Sequence, residues 1–200
     1  MKSSTIAAIL SFSVASLAAP VSYVVPKYPS PFGKRSVQDA VNDCQNTGNP
    51  SLCEQVVTTI NGWDVSVNGV NLFLNTAEGL TNPALTTAEN MALSLANLEP
   101  GFLSTLQATP GLSAAGQQAA ATLGQVFGAV PQNLQDLLDA SESVETAVDN
   151  INNVRCAQIL GNIGELWVES AAAVGADTPG FPLGPFVCEK SGGNVGDAFN

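Results

Sequence analysis

The sequence predicts an all-α fold: a small helical bundle with two disulfides and an extended Pro/Gly-rich C-terminal tail. Three observations point there. Apolar residues recur at helical spacing, above all Val56, Ile60, Trp63, Val67, Val70 and Leu74, whose steps alternate between four and three. No segment shows the strict period-two alternation of a half-buried strand. Four cysteines, Cys44, Cys53, Cys156 and Cys188, follow an export signal, and an even count in an exported chain reads as disulfides.

The N-terminus carries the export signal. Lys2 supplies a basic start, Ile6 to Val14 is apolar with small Ser interruptions, and Ser16 and Ala18 occupy the −3 and −1 positions of a cut. Pro20 ends the run before it reaches the roughly 20 apolar residues of a spanning helix. Residues 1–18 are therefore expected to be a signal peptide. Residues 19–35 are rich in Pro and Val and end in Lys34-Arg35, directly before a helix start at Ser36. They read as a propeptide whose dibasic end suits a subtilisin-type processing protease. The helical domain is expected over residues 36–190, with a Gly-rich disordered tail over 191–200. That is one domain's worth of chain, enough to bury about 70% of the unfolded surface.

The elements follow in order. Ser36 to Asn42 predicts a short helix running to Cys44, and Asn46 to Pro50 a turn. Ser51 and Glu54 have the spacing of a capping box that would open the long seam helix. At 24 residues that helix would be about 36 Å long. Asn82 is the expected cap of the next helix, with Pro83 at its first position. Ala88, Ala92, Leu95, Phe102 and Leu106 mark its inner face, and Pro100-Gly101 should break or kink it. Pro110-Gly111 makes a turn, and Ser113 caps a helix carrying Ala119, Leu123, Phe127 and Val130. Pro131 opens another. Its spacing continues through Leu134, Leu138, Val144, Val148, Ile151, Ile159, Ile163 and Leu166, with weak points at Ser141 to Ser143 and Gly161 to Gly164. Thr178 to Pro185 holds too many Pro and Gly residues for a helix and should lie extended over the bundle. Seven glycines fall inside expected helices: Gly62, Gly69, Gly116, Gly124, Gly128, Gly161 and Gly164. They imply either close helix packing or a bundle that opens readily.

Four cysteines allow three pairings. Cys44–Cys53 with Cys156–Cys188 is the expected one, since each pair then closes a local segment. After removal of residues 1–35, 17 acidic residues remain against two basic ones, Arg155 and Lys190, a net charge of −15. Such a chain repels phosphate backbones and anionic headgroups, which excludes nucleic acid as a partner, and it favours a soluble monomer. No second stretch is long and apolar enough to span a bilayer. No Asn-x-Ser/Thr acceptor occurs.

The chain has no His, and both tyrosines, Tyr23 and Tyr28, precede the dibasic site. No Ser-His-Asp or Cys-His set can be built, the oxidised cysteines leave no thiol nucleophile, and zinc and phosphate-loop patterns are missing. Carboxylates are the one abundant reactive class. Glu165 and Glu169 share a helix face, and Asp136, Asp139 and Glu142 step by three. Neighbours on one face do not flank a sugar as a glycosidase pair does, and no calcium-loop pattern surrounds them. A solvated acidic face is the expected role. Trp63 and Trp167 are expected in the core. The sequence thus assigns no catalytic residue, no metal ligand and no cofactor, and it leaves the ligand-binding residues open.

The stretch Val56-Val57-Thr58-Thr59-Ile60-Asn61-Gly62-Trp63-Asp64-Val65-Ser66-Val67-Asn68, followed by an Ala/Leu-rich middle to about Asn150, resembles the small secreted proteins of filamentous fungi. The likeness is to the hydrophobic-surface-binding and cell-wall galactomannoprotein type, and the Lys34-Arg35 site fits fungal precursor processing. The resemblance implies a non-enzymatic, secreted or cell-wall-associated protein that contacts hydrophobic surfaces, lipid, apolar ligands or cell-wall components. The alternatives are a secreted effector or antigen that binds a partner protein and, last, a carboxylate-based hydrolase.

Overall fold

The computed structural model describes residues 30–33 and 36–190. The signal segment with Ala18, the Lys34-Arg35 pair and the 191–200 tail lie outside the described residues. The architecture is an all-α helical bundle: α1 Val37–Asp43, α2 Pro50–Thr76, α3 Ala84–Ala96, α4 Glu99–Gln107, α5 Ala114–Val126, α6 Ala129–Leu138, α7 Val144–Val154, α8 Leu160–Val174 and α9 Phe186–Lys190. Short 3₁₀ turns follow α1 and α2, and a π-helical segment, Arg155–Ile159, joins α7 to α8. Among the described residues the one β-bridge is the isolated Ser30–Gly33 pair.

The long helix α2 is central. Its seam residues Val56, Ile60, Trp63, Val67, Val70 and Leu74 are all buried, as the alternating spacing predicts. Trp63 gathers the aromatic core, with ring centroids 6.2 Å from Phe102, 5.7 Å from Phe127 and 6.2 Å, edge-on, from Trp167. Both indoles are fully buried, which places them in the core as expected. Around α2 pack α1, α3, α4 and α8, and α5 lies along α8.

Side-chain caps set four of the helix starts. Ser36 and Asp39 form a capping box at α1, each side chain bonded to the other's backbone N–H. Ser113 caps α5 by accepting from Gly116 N, and Ser143 caps α7 by accepting from Thr146 N. The expected Ser51/Glu54 box is corrected: Asn49 Oδ1 caps α2 by accepting from Leu52 N, with Pro50 in the first turn. Pro50 at the first position starts the helix two residues earlier than Ser51 would. Asn82 is not the cap of α3. Pro83 holds that place, and Asn82 accepts from the Thr86 hydroxyl instead. Pro100 does not interrupt a helix but lies in the first turn of α4, the break falling earlier, between Ala96 and Glu99. Pro131 similarly lies inside the first turn of α6, which opens at Ala129.

Ser141 to Ser143 is a true break, but α8 runs unbroken through Gly161 to Gly164. The irregularity sits just upstream, in the π-segment. Inward residues Ile151, Arg155, Ile159, Ile163, Trp167 and Ala171 recur every four positions. An α-helix overshoots a full turn by about 40° per four residues, so a wider π turn absorbs part of the drift.

Four of the helix glycines mark close packing. A methyl on Gly62 would meet the Phe102 ring at 3.1 Å, one on Gly69 would run into Leu95, one on Gly116 would lie 2.9 Å from Glu169 Cβ, and one on Gly164 would run into the Phe181 ring. Gly124, Gly128 and Gly161 face open space. Residues 176–185 cross α8 without helix, as expected, and α9 follows. The disulfides are Cys44–Cys53, which ties the turn after α1 to α2, and Cys156–Cys188, which pins α9 to the π-segment.

Candidate functional site

One buried polar cluster crosses the core. Arg155 is fully buried and projects from the π-segment toward α2 and α4. Its Nη2 donates to Asn71 Oδ1 at 3.0 Å and to Val67 O at 3.4 Å, and its Nη1 lies 3.6 Å from Glu99 Oε1. Trp63 Nε1 donates to the other Glu99 oxygen at 3.2 Å, and Asn71 Nδ2 donates to Leu183 O on the C-terminal arm at 2.7 Å. Burial pushes the Glu99 carboxyl up, opposed by the Arg155 charge and the bond from Trp63. Burial pushes Arg155 down, opposed by Glu99. Arg155 Nε and Nη1 have no hydrogen-bond partner. This cluster is an interior tie between four parts of the chain. Removing either charge would strand the other in a low-dielectric core.

Two further carboxyls are buried, one on α2 and one on α3. Asp64 on α2 is raised from 3.8 to about 7 by burial, against a 3.0 Å bond from Asn68 Nδ2. Glu89 on α3 is raised by burial alone.

Burial of Glu89 and Glu99 has a consequence at the surface. Between Leu80 and Gln135 they are the only charged residues, and both are 4% exposed or less. The exposed sides of α3, α4 and α5 therefore present only Ser, Thr, Asn, Gln, Gly and apolar groups. Within this uncharged face the α2–α3 contact is drawn tight. Gly69 admits Leu95, and the Ser66 hydroxyl donates to Leu95 O at 2.6 Å. Val65 stands beside Ser66, while Met91 and Leu98 lie about one turn to either side of Leu95. All three are more than half exposed, at 59%, 60% and 53%. Three large apolar side chains thus flank one helix contact on a face without charge.

The residues singled out from the sequence fall elsewhere. Asp136 accepts from Gln132 Nε2, Asp139 from Gln135 Nε2, and Glu142 from Asn150 Nδ2, all on α6, α7 and the turn between them. Glu165 and Glu169 lie half-buried on α8. Among the described residues no group of three or more His, Cys, Asp or Glu could hold a metal. No helix of the described residues is long and apolar enough to cross a membrane. A cleft of about 520 Å³ opens between the Asn46–Asn49 turn with Leu52 and the end of α8 at Ala173–Gly175, and no carboxylate lines it. Sequence reasoning missed Arg155, Glu99, Asp64 and the uncharged window. For Arg155 the signal was its place among Ile151 and Ile159 in an apolar run, and for the window the bare spacing of charges. No known protein family, characterised protein or solved structure matches this chain.

Proposed function

We propose that this is a secreted, non-enzymatic protein that contacts hydrophobic surfaces or apolar ligands through the uncharged face of α3, α4 and α5. The observation that carries this reading is the burial of Glu89 and Glu99, which leaves Val65, Met91 and Leu98 exposed on a face with no charge. An apolar surface gains contact there without stripping water from an ion, the step that makes charged faces poor adsorbers. The remaining acids keep the rest of the molecule hydrated and dispersed. Export is supported by the signal-like N-terminus and the two disulfides, which persist in oxidising compartments. The non-enzymatic part of the reading is supported by the missing His and by the internal pairing of the acidic steps on α6 and α7.

The test is adsorption to polystyrene beads and oil droplets. Binding is expected at neutral pH and should strengthen near pH 4, where carboxylates lose charge, about 4 being their ordinary range. Replacing Met91 and Leu98 with Glu should weaken it about tenfold or more, since each side chain contributes on the order of 1.5–3 kcal/mol when buried. The same charge placed at Thr146 on α7 should leave it unchanged. No adsorption at either pH would remove the reading.

A further inference from the structure

We propose that the turn Ser30–Gly33 is a tethered plug that fills an apolar seat beside the C-terminal arm, and that a cut after Arg35 releases it and opens the seat. The inference rests on processing at Lys34-Arg35 and is independent of the surface-contact reading.

The turn belongs to the segment expected to be removed, yet it is built into the fold. Pro31 and Phe32 are buried, and Phe32, at 7% exposure, is part of the hydrophobic core. Gly33 N donates to Ser30 O at 2.9 Å and Phe32 N to Ser30 Oγ at 3.2 Å. Gly33 takes φ +69°, a conformation that costs glycine nothing. Gly180 N, on the arm, donates to Pro31 O at 2.6 Å. Pro179 and Pro182 on either side of Gly180 are buried as well. A segment that served only as a spacer would stay in water.

Tethering decides whether the plug stays. In the uncut chain two residues join Gly33 to Ser36, so the turn is held at high effective concentration beside its seat. Once cut, the same ring, proline and single main-chain bond must offset the whole loss of translational and rotational freedom. So few contacts leave the free segment with a Kd of about 1 mM or weaker. The other side of the cut is already prepared. Ser36 N lies 3.1 Å from Asp39 Oδ2, so the α-ammonium created there meets a carboxylate. Ser36 Oγ still accepts from Asp39 N, so the cap of α1 survives. Release bares the Gly180 N–H and the wall that held Phe32. Such a seat takes an extended peptide that presents a carbonyl next to an aromatic ring, the chemistry of the plug itself.

The test uses the chain from Pro20 to Asn200 with its disulfides formed, cut in vitro by a dibasic-specific protease. The K34Q/R35Q form is the uncut control. Gel filtration is expected to strip residues 20–35 from the cut protein while its helical circular dichroism stays the same. Fluorescence of a solvatochromic dye should rise several-fold over the control. A synthetic peptide of residues 26–33 at millimolar concentration should reverse the rise, and the same peptide with Phe32→Ala should not. Retention of the segment through gel filtration, an unchanged dye signal, loss of helix on cutting, or a folded precursor that resists the cut would each overturn the proposal. Polystyrene adsorption enters none of these readouts, so failure here leaves the surface-contact reading standing, and the reverse.

Discussion

The Asp64 carboxyl is buried on α2 and titrates at about 7 rather than 3.8, because burial penalises its charge more than the Asn68 bond supports it. A folded pKa above the unfolded one means the native state favours the protonated acid. The resulting stability is fully present below about pH 4 and is lost as pH rises through about 7. At about 1.4 kcal/mol per pKa unit the effect amounts to roughly 4 kcal/mol. Asp64→Asn, which mimics the protonated acid, is expected to raise stability at pH 7 by about 2–4 kcal/mol in urea unfolding and to flatten the slope between pH 4 and 7. Equal stability of the two proteins at pH 7 would contradict the assignment. Glu89, raised by the same cause, pulls in the same direction. These residues could not be read from their type. Asp64 is one position along from the Trp63 seam, and its burial is complete only once the bundle has packed.

At the level of elements, the seam of α2, the start of α1 at Ser36 and the Ser113 cap of α5 were legible, because local hydrogen bonding and helical spacing specify them, whereas the Ser143 cap of α7 stood in the sequence only as a weak point. Ser51-x-x-Glu54 has the spacing of a good box, yet Pro50 is better suited to a first position than to the turn before it, and α2 starts there. The glycines carried two readings, and packing separates them. Gly164 lies under the Phe181 ring, whereas Gly161, one turn earlier on α8, has nothing within 4 Å. Gly164→Ala should cost about 1–3 kcal/mol through overpacking and shift the arm. Gly161→Ala should add about 0.5–1 kcal/mol through helix propensity. Urea midpoints of the two variants check this, and movement in the same direction would refute the close-packing account of Gly164.

Across the molecule, the two disulfides close loops of unequal length. Cys156 and Cys188 are 32 positions apart and Cys44 and Cys53 nine. By loop-closure entropy the longer bridge stabilises by about 1 kcal/mol more. Replacing Cys156 and Cys188 together by Ser should therefore lower stability more than replacing Cys44 and Cys53, as measured by thermal and urea unfolding. It should also loosen the arm that holds Leu183 O against Asn71 and Gly180 against Pro31. The charges divide on the same scale. Apart from the buried Glu89 and Glu99, the acidic residues lie before Leu80 or from Asp136 onward, and α3, α4 and α5 between them bring no exposed charge to the surface.

The amino-acid order by itself determined the helical class, the seam of α2, the pairing of near cysteines and the extended arm. Each depends on residues a few positions apart, or on a chain too rich in Pro to coil. Only the tertiary structure decided that Arg155 and Glu99 meet inside the core, that Asp64 and Glu89 are buried, and that Pro31 bonds the arm while Phe32 joins the core. Those contacts join positions far apart in the chain, and the low dielectric that shifts a carboxyl exists only once the helices have closed around it.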